Sequence, residues 1–151
     1  MNFEFSLVGL VFLIMLFVPN IIWTKYQPKD YDKYSQRESR ILLAFERIGQ
    51  ILVVIFSLFC GAEFTYSLLL LIAFVLMVMY EIAWIRYFNS DYSMGDFYKD
   101  FLKVPLPLAT LPVLAFFLLG IYANSYLLII SSLILAIGHI GIHFNHKKEL
   151  L

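Results

Sequence analysis

Residues 127–146 read LLIISSLILAIGHIGIHFNH, a hydrophobic segment that carries all three histidines of the chain near its C-terminal end. In a helix, a set of small or polar residues in this segment would follow one another at steps of four, three, four and three. They are Ser132, Ala136, His139, His143 and His146. These steps place the whole set on one helical face, while Leu, Ile and Phe cover the others. The pattern predicts a membrane helix that turns a polar stripe toward its neighbours in a bundle.

The composition of the whole chain also favours a membrane protein. Of 151 residues, 62% are hydrophobic and 15% are charged, and the mean hydropathy of +0.82 lies outside the range of soluble domains. The formal net charge of zero argues against nucleic acid as a partner, because such binders carry a basic patch that neutralises phosphates. The single cysteine, Cys60, excludes an internal disulfide and a metal site built from several cysteines.

Five segments are apolar enough, and long enough at about 20 residues, to cross a bilayer as helices. They are residues 3–23, 41–60, 66–88, 104–122 and 127–144. The first has no basic n-region and no small-residue cleavage site, so we expect a retained helix rather than a signal peptide. The sequence therefore predicts an all-α, polytopic protein, with residues 1–151 forming one domain of five transmembrane helices in contact with the lipid bilayer.

The basic residues predict the orientation of these helices. Lys and Arg occur after the first span, around the connection between the third and fourth spans, and in the C-terminal tail. They are absent from residues 61–65 and 123–125, which we expect to be tight turns that close two helical hairpins. The positive-inside rule then places the N-terminus outside and the C-terminus in the cytoplasm. We assign the chain to the cytoplasmic membrane of a prokaryote.

The connection before the fourth span has its own pattern. In residues 93–103, SMGDFYKDFLK, apolar residues recur at helical spacing, and Ser93 with Asp96 forms a possible capping box. The pattern predicts a short amphipathic helix in the cytoplasmic interface, ended by Pro105 and Pro107, which begin the fourth span. The alternative is a cytoplasmic extension of the fourth span that packs on the bundle.

Ionisable side chains within the spans are candidate functional residues, because a charge at the bilayer centre costs ~2.5–3.5 kcal/mol or more. The helical rise of about 1.5 Å per residue places Arg47, Glu81 and His139 at similar depths on the inner side. Arg47 and Glu81 are expected to form an ion pair. We predict a polar pocket that faces the cytosol, with six candidate residues: Arg47, Gln50, Glu81, His139, His143 and Glu46. In a purely structural interpretation, these residues serve only helix packing.

Three classes of function fit such a pocket. The favoured class binds or transports a small polar or anionic molecule, with proton-linked Glu and His groups and no bound metal or other cofactor. The first alternative is a metal-dependent enzyme with zinc or iron held by His139, His143 and Glu81, or by Glu46 in place of Glu81, because two imidazoles four residues apart share one helical face. The second alternative is a structural, immunity or regulatory subunit. Few polar groups lie in the outer half, which does not favour a complete transport path through one chain; a homodimer could supply the missing part.

Overall fold

A computed structural model describes residues 3–151 of the chain. The structure contains α1 (Leu7–Trp23), α2 (Tyr31–Ser35), α3 (Arg40–Leu58), α4 (Leu68–Phe88), α5 (Met94–Phe97), α6 (Pro107–Tyr122) and α7 (Tyr126–Leu150). Within residues 3–151 there is no β-strand, only two isolated bridges. The predicted all-α class is confirmed.

Three of these helices, α3, α4 and α7, are long and apolar enough to cross a membrane. The other two apolar helices are shorter, with 17 residues in α1 and 16 in α6. All five coincide with the predicted segments, and their ends differ by a few residues. Helix α1 begins later than predicted because the Ser6 hydroxyl accepts a hydrogen bond from the Gly9 amide and caps it. The three long helices are compatible with an integral membrane protein.

The five long helices form a ring around a central space. Helix α3 packs on α7, α7 on α6, α6 on α4, and α1 lies between α4 and α3. The hairpin of α6 and α7 is as predicted, with the Ser125 amide donating to the Gly120 carbonyl. The predicted hairpin of α3 and α4 is wrong. Residues 59–67 form no helix and pair with the N-terminal segment, where the Gly61 amide donates to the Glu4 carbonyl and Ser6 Oγ donates to the Ala62 carbonyl.

Glycines bring α3 and α7 into backbone contact. A Cβ added to Gly138 would lie 2.1 Å from the Glu46 nitrogen, and one added to Gly49 would lie 2.5 Å from the Leu135 Cα. Small residues permit such close approach between membrane helices. The same contact places the backbone of Glu46 directly beside the turn of α7 that carries His139.

The connection before α6 differs from both predictions. Ser93 and Asp96 do form the predicted capping box, but α5 ends at Phe97, and α6 does not begin until Pro107. Met94, Phe97 and Tyr98 are buried at one end of the bundle instead of lying on a membrane surface. These side chains pack on other parts of the protein. The ring of Phe97, for example, packs against Trp84, Tyr87 and His143.

Candidate functional site

The three histidines of α7 form one cluster near the C-terminal end of this helix, the end for which the sequence predicted the polar pocket. The ring centroids of His139 and His143 lie 4.5 Å apart, and those of His143 and His146 lie 6.0 Å apart. His139 belongs to a single π-helical turn, Ala136–Ile140, inside α7. Such turns are rare in α-helices and occur frequently at functional sites.

Glu46 on α3 is the partner of His139. Its Oε1 lies 2.5 Å from His139 Nδ1, and the two side chains are 16% and 22% exposed. The contact follows from the close approach of α3 to α7 at Gly138, one residue before His139. Glu46 and His139 therefore form a short, partly buried carboxylate–imidazole hydrogen bond.

Tyr98 joins the other two histidines. Its hydroxyl lies 2.8 Å from Nδ1 of His143 and 2.8 Å from Nδ1 of His146. A hydroxyl has a single proton, so it donates to one imidazole and accepts from the other. Burial, and then the neighbouring Tyr31 and Glu38, raise the pKa of Tyr98 far above its usual range, which keeps the hydroxyl protonated.

Glu38 lies beside His146, on the side away from Tyr98. Its Oε1 lies 3.2 Å from His146 Nε2, although the direction of approach is not that of a hydrogen bond. Burial and the nearby charge of Glu46 raise the pKa of Glu38, and Arg47 partly opposes them. His146 is nearly fully buried and also meets the ring edges of Tyr31 and Tyr34.

The cluster borders a cavity of about 400 Å³ inside the ring of helices. Glu46, Gln50, His139 and His143 contribute to its polar lining, and the apolar lining comes from all five long helices. Its apolar members include Leu16, Val53, Val54, Trp84, Leu108, Val113, Phe116 and Leu135. The volume lies within the range of sites that bind small molecules.

The structure brings four of the six predicted site residues together and leaves out two. Glu46, Gln50, His139 and His143 line the cavity, whereas Arg47 and Glu81 do not. The predicted Arg47–Glu81 ion pair is wrong, since within residues 3–151 no salt bridge joins them and Glu81 Oε1 has no hydrogen-bond partner. Helix α1 lies between α3 and α4, and Arg47 is exposed.

The same arrangement distinguishes between the two metal-ligand sets predicted in the enzyme alternative. Of the two predicted sets, the structure brings together the one with Glu46, whose ligand atom lies within 4.8 Å of those of His139 and His143, and not the one with Glu81. Tyr98 and Glu38 were not predicted as site residues. The sequence did carry one signal for them, because the polar stripe of residues 127–146 continues to His146, and a buried imidazole needs polar partners from a neighbouring segment.

No protein-family model, curated protein or solved structure matches this chain, so its function has to be inferred from the site itself.

Proposed function

We propose that this protein binds a small amphipathic molecule in the cavity at the centre of its helical ring. The observation that supports the proposal is the cavity of about 400 Å³, with apolar walls and with Glu46, Gln50 and His139 in its lining. An apolar body would occupy the space between the helices, and a polar head group would hydrogen-bond to these side chains. Sites of this kind obtain affinity from apolar contact and orientation from a few polar groups.

The exposed members of the lining indicate how a ligand enters. Phe17 on α1 and Gln50 on α3 are exposed, whereas the lining residues of α6 are buried. Helices α1 and α3 are in close contact at the other end, where Gly9 lies against the Ser57 carbonyl. We infer an opening between α1 and α3, on the side of the ring that faces lipid, which suits a molecule dissolved in the membrane.

Two indole groups add hydrogen-bond donors near the cavity. Trp23 and Trp84 both contribute to its lining, and the Nε1 of each is buried without an acceptor among the described residues. Buried donors without an acceptor are uncommon in folded proteins. A ligand with carbonyl or ether oxygens would supply acceptors within the same space.

We also propose an orientation of the helices in the membrane. We place all five long helices across a prokaryotic cytoplasmic membrane, with the C-terminus inside. Two of the basic segments lie together at one end of the ring, as the positive-inside rule requires. Arg86 donates to the Asp100 carbonyl, and Lys147 pairs with the Asp100 carboxylate. Cysteines at positions 63 and 124 should react with an impermeant reagent added to intact cells, and one at position 35 should not. The reverse pattern would overturn this orientation.

The binding proposal is tested by comparing two phenylalanine substitutions on α6. Val113 is buried and lines the cavity, whereas the adjacent Leu114 is exposed on the outside of the ring. Val113→Phe should fill part of the cavity, and Leu114→Phe is the matched control. Organic extraction of each purified protein, followed by mass spectrometry, should find a compound enriched in the wild type and in Leu114→Phe but depleted in Val113→Phe. Equal amounts in all three proteins would refute the proposal.

A further inference from the structure

We propose that Glu46, His139 and His143 form a binding site for a divalent transition-metal ion of the zinc class. The three side chains come from two helices, and their ligand atoms all lie within 4.8 Å of one another. The inference concerns the metal ion alone and does not require that an organic molecule occupy the cavity.

The distances suit a tetrahedral ion after small side-chain movements. Zinc–nitrogen and zinc–oxygen bonds of about 2.0–2.1 Å place neighbouring ligand atoms roughly 3.3 Å apart. Glu46 Oε1 and His139 Nδ1 are now 2.5 Å apart and would separate by a little under 1 Å to admit the ion. His143 has only to bring its free nitrogen closer, since its ring centroid is 4.5 Å from that of His139.

The ligand types identify the class of ion. Two imidazoles and one carboxylate form the three-ligand set of catalytic zinc sites, which leave a fourth position open. Imidazole nitrogen favours zinc and its neighbours in the first transition series over magnesium and calcium, which prefer oxygen. All three side chains line the cavity, so the fourth position would be available to water or to the head group of a bound molecule.

The hydrogen bonds around His143 prepare it to be a ligand. The contact of Glu38 Oε1 with His146 Nε2, at 3.2 Å, is not a hydrogen bond, but the charge of an ionised Glu38 favours an N–H over a lone pair on that nitrogen. His146 Nδ1 then accepts from the Tyr98 hydroxyl, whose oxygen accepts from His143 Nδ1–H. In this order, His143 Nε2 carries a lone pair and can bind a metal.

Tyr98 would thus act as a positioning residue. Metal-binding histidines commonly donate their second nitrogen to an oxygen atom that fixes the tautomer and the ring orientation, and loss of such a partner typically lowers metal affinity by about 10–100-fold. The 2.8 Å contact between the Tyr98 hydroxyl and His143 Nδ1 is of this type. Tyr98→Phe should therefore weaken zinc binding roughly tenfold while leaving all three ligands in place.

The test is zinc binding by the full-length protein, purified in detergent without a histidine tag. After chelation, incubation with zinc and gel filtration, elemental analysis should find about one zinc ion per chain in the wild type. Glu81→Leu, which removes the carboxylate that stands outside the cluster, should retain the ion. The variant His139→Ala/His143→Ala should lose it. Zinc that persists in this double variant, or a folded wild type that binds none, would overturn the inference.

A second measurement needs no variant and decides the case in which the histidine substitutions prevent folding. Cobalt(II) added to the metal-free wild type should give the intense visible absorption bands of a tetrahedral ion with nitrogen and oxygen ligands, and zinc should abolish them. The weak bands of an octahedral ion, or no change in spectrum, would overturn the proposed site. Neither assay contains an organic ligand, so failure here is distinct from failure of the proposed binding function.

Discussion

Two helix interfaces of the ring, α4 with α6 and α3 with α7, are packed in different ways. Helices α4 and α6 pack on each other, and the buried side chains of these two helices are apolar or aromatic, among them Met77, Tyr80, Leu111 and Phe116. Between α3 and α7 the backbones touch at Gly49 and Gly138, and a carboxylate meets an imidazole. The first interface is stabilised by packing of apolar side chains. The second is held by close backbone approach, which also fixes polar groups at short distances, and this is why the candidate site lies there.

The largest effect is expected from filling the glycine contact. A methyl group at Gly138 would lie 2.1 Å from the Glu46 nitrogen, and backbone atoms cannot move aside as a side chain can. Gly138→Ala should therefore lower the free energy of unfolding by about 3 kcal/mol, at the upper end of the usual cost of overpacking. Thermal unfolding in detergent measures the change.

Gly141→Ala is the matched control for this substitution. The atoms nearest to a Cβ at Gly141 would be the Leu42 methyl carbons, at 3.1 Å and 3.3 Å, and these can rotate away. The control should cost well under half as much as Gly138→Ala. Equal losses in the two variants would mean that the α3–α7 interface is not held by close backbone approach.

A smaller effect should distinguish Glu46 on α3 from Glu81 on α4. Glu46→Leu removes the partner of His139 and should cost about 2 kcal/mol, as expected when a charged group loses its hydrogen bond. Glu81→Leu removes a carboxylate whose Oε1 is buried without a partner, so it should be neutral or stabilising. Unfolding of both variants in one detergent gives the comparison. A loss in Glu81→Leu as large as that in Glu46→Leu would contradict the assignment of Glu46 to the site.

The smallest effect is expected from the hydroxyl of Tyr98. Tyr98→Phe keeps the buried ring but leaves imidazole nitrogens of His143 and His146 without their shared partner, at a cost of about 1 kcal/mol. Tyr66→Phe is the control, because Tyr66 is fully exposed. If both substitutions were neutral, the bridge from Tyr98 to the two histidines would have no energetic role.

Hydrophobic pattern was sufficient to predict the five long helices, because each must cover its backbone and present apolar residues over most of its length. It could not predict which helices are neighbours. The short connection at residues 61–65 suggested a hairpin, yet pairing of that segment with Glu4 and Ser6 carries α4 to the far side of α1. The pairing of Arg47 with Glu81 was inferred from equal depth, which gives no information about direction around the ring.

The site was predicted in part for a related reason. Helical spacing on α7 identified the histidines, and Glu46 was named because it lies inside a span. However, adjacent residues on a helix point about 100° apart, and only the packing of α3 on α7 decides that Glu46, rather than Arg47, faces His139. Tyr98 belonged to an apolar pattern that fits a membrane surface and a protein interior equally well, so periodicity alone could not reveal its contacts with the histidines.

The central feature of the site is the proximity of Glu46 to His139, which cysteine cross-linking can measure in native membranes. In a Cys60→Ala background, the pair Glu46→Cys and His139→Cys should be joined in high yield by a short bifunctional thiol reagent, since the native side chains approach to 2.5 Å. The pairs expected from depth alone, Glu81→Cys with His139→Cys and Arg47→Cys with Glu81→Cys, should remain unlinked. Efficient cross-linking of either of these pairs, with none between positions 46 and 139, would contradict the site described.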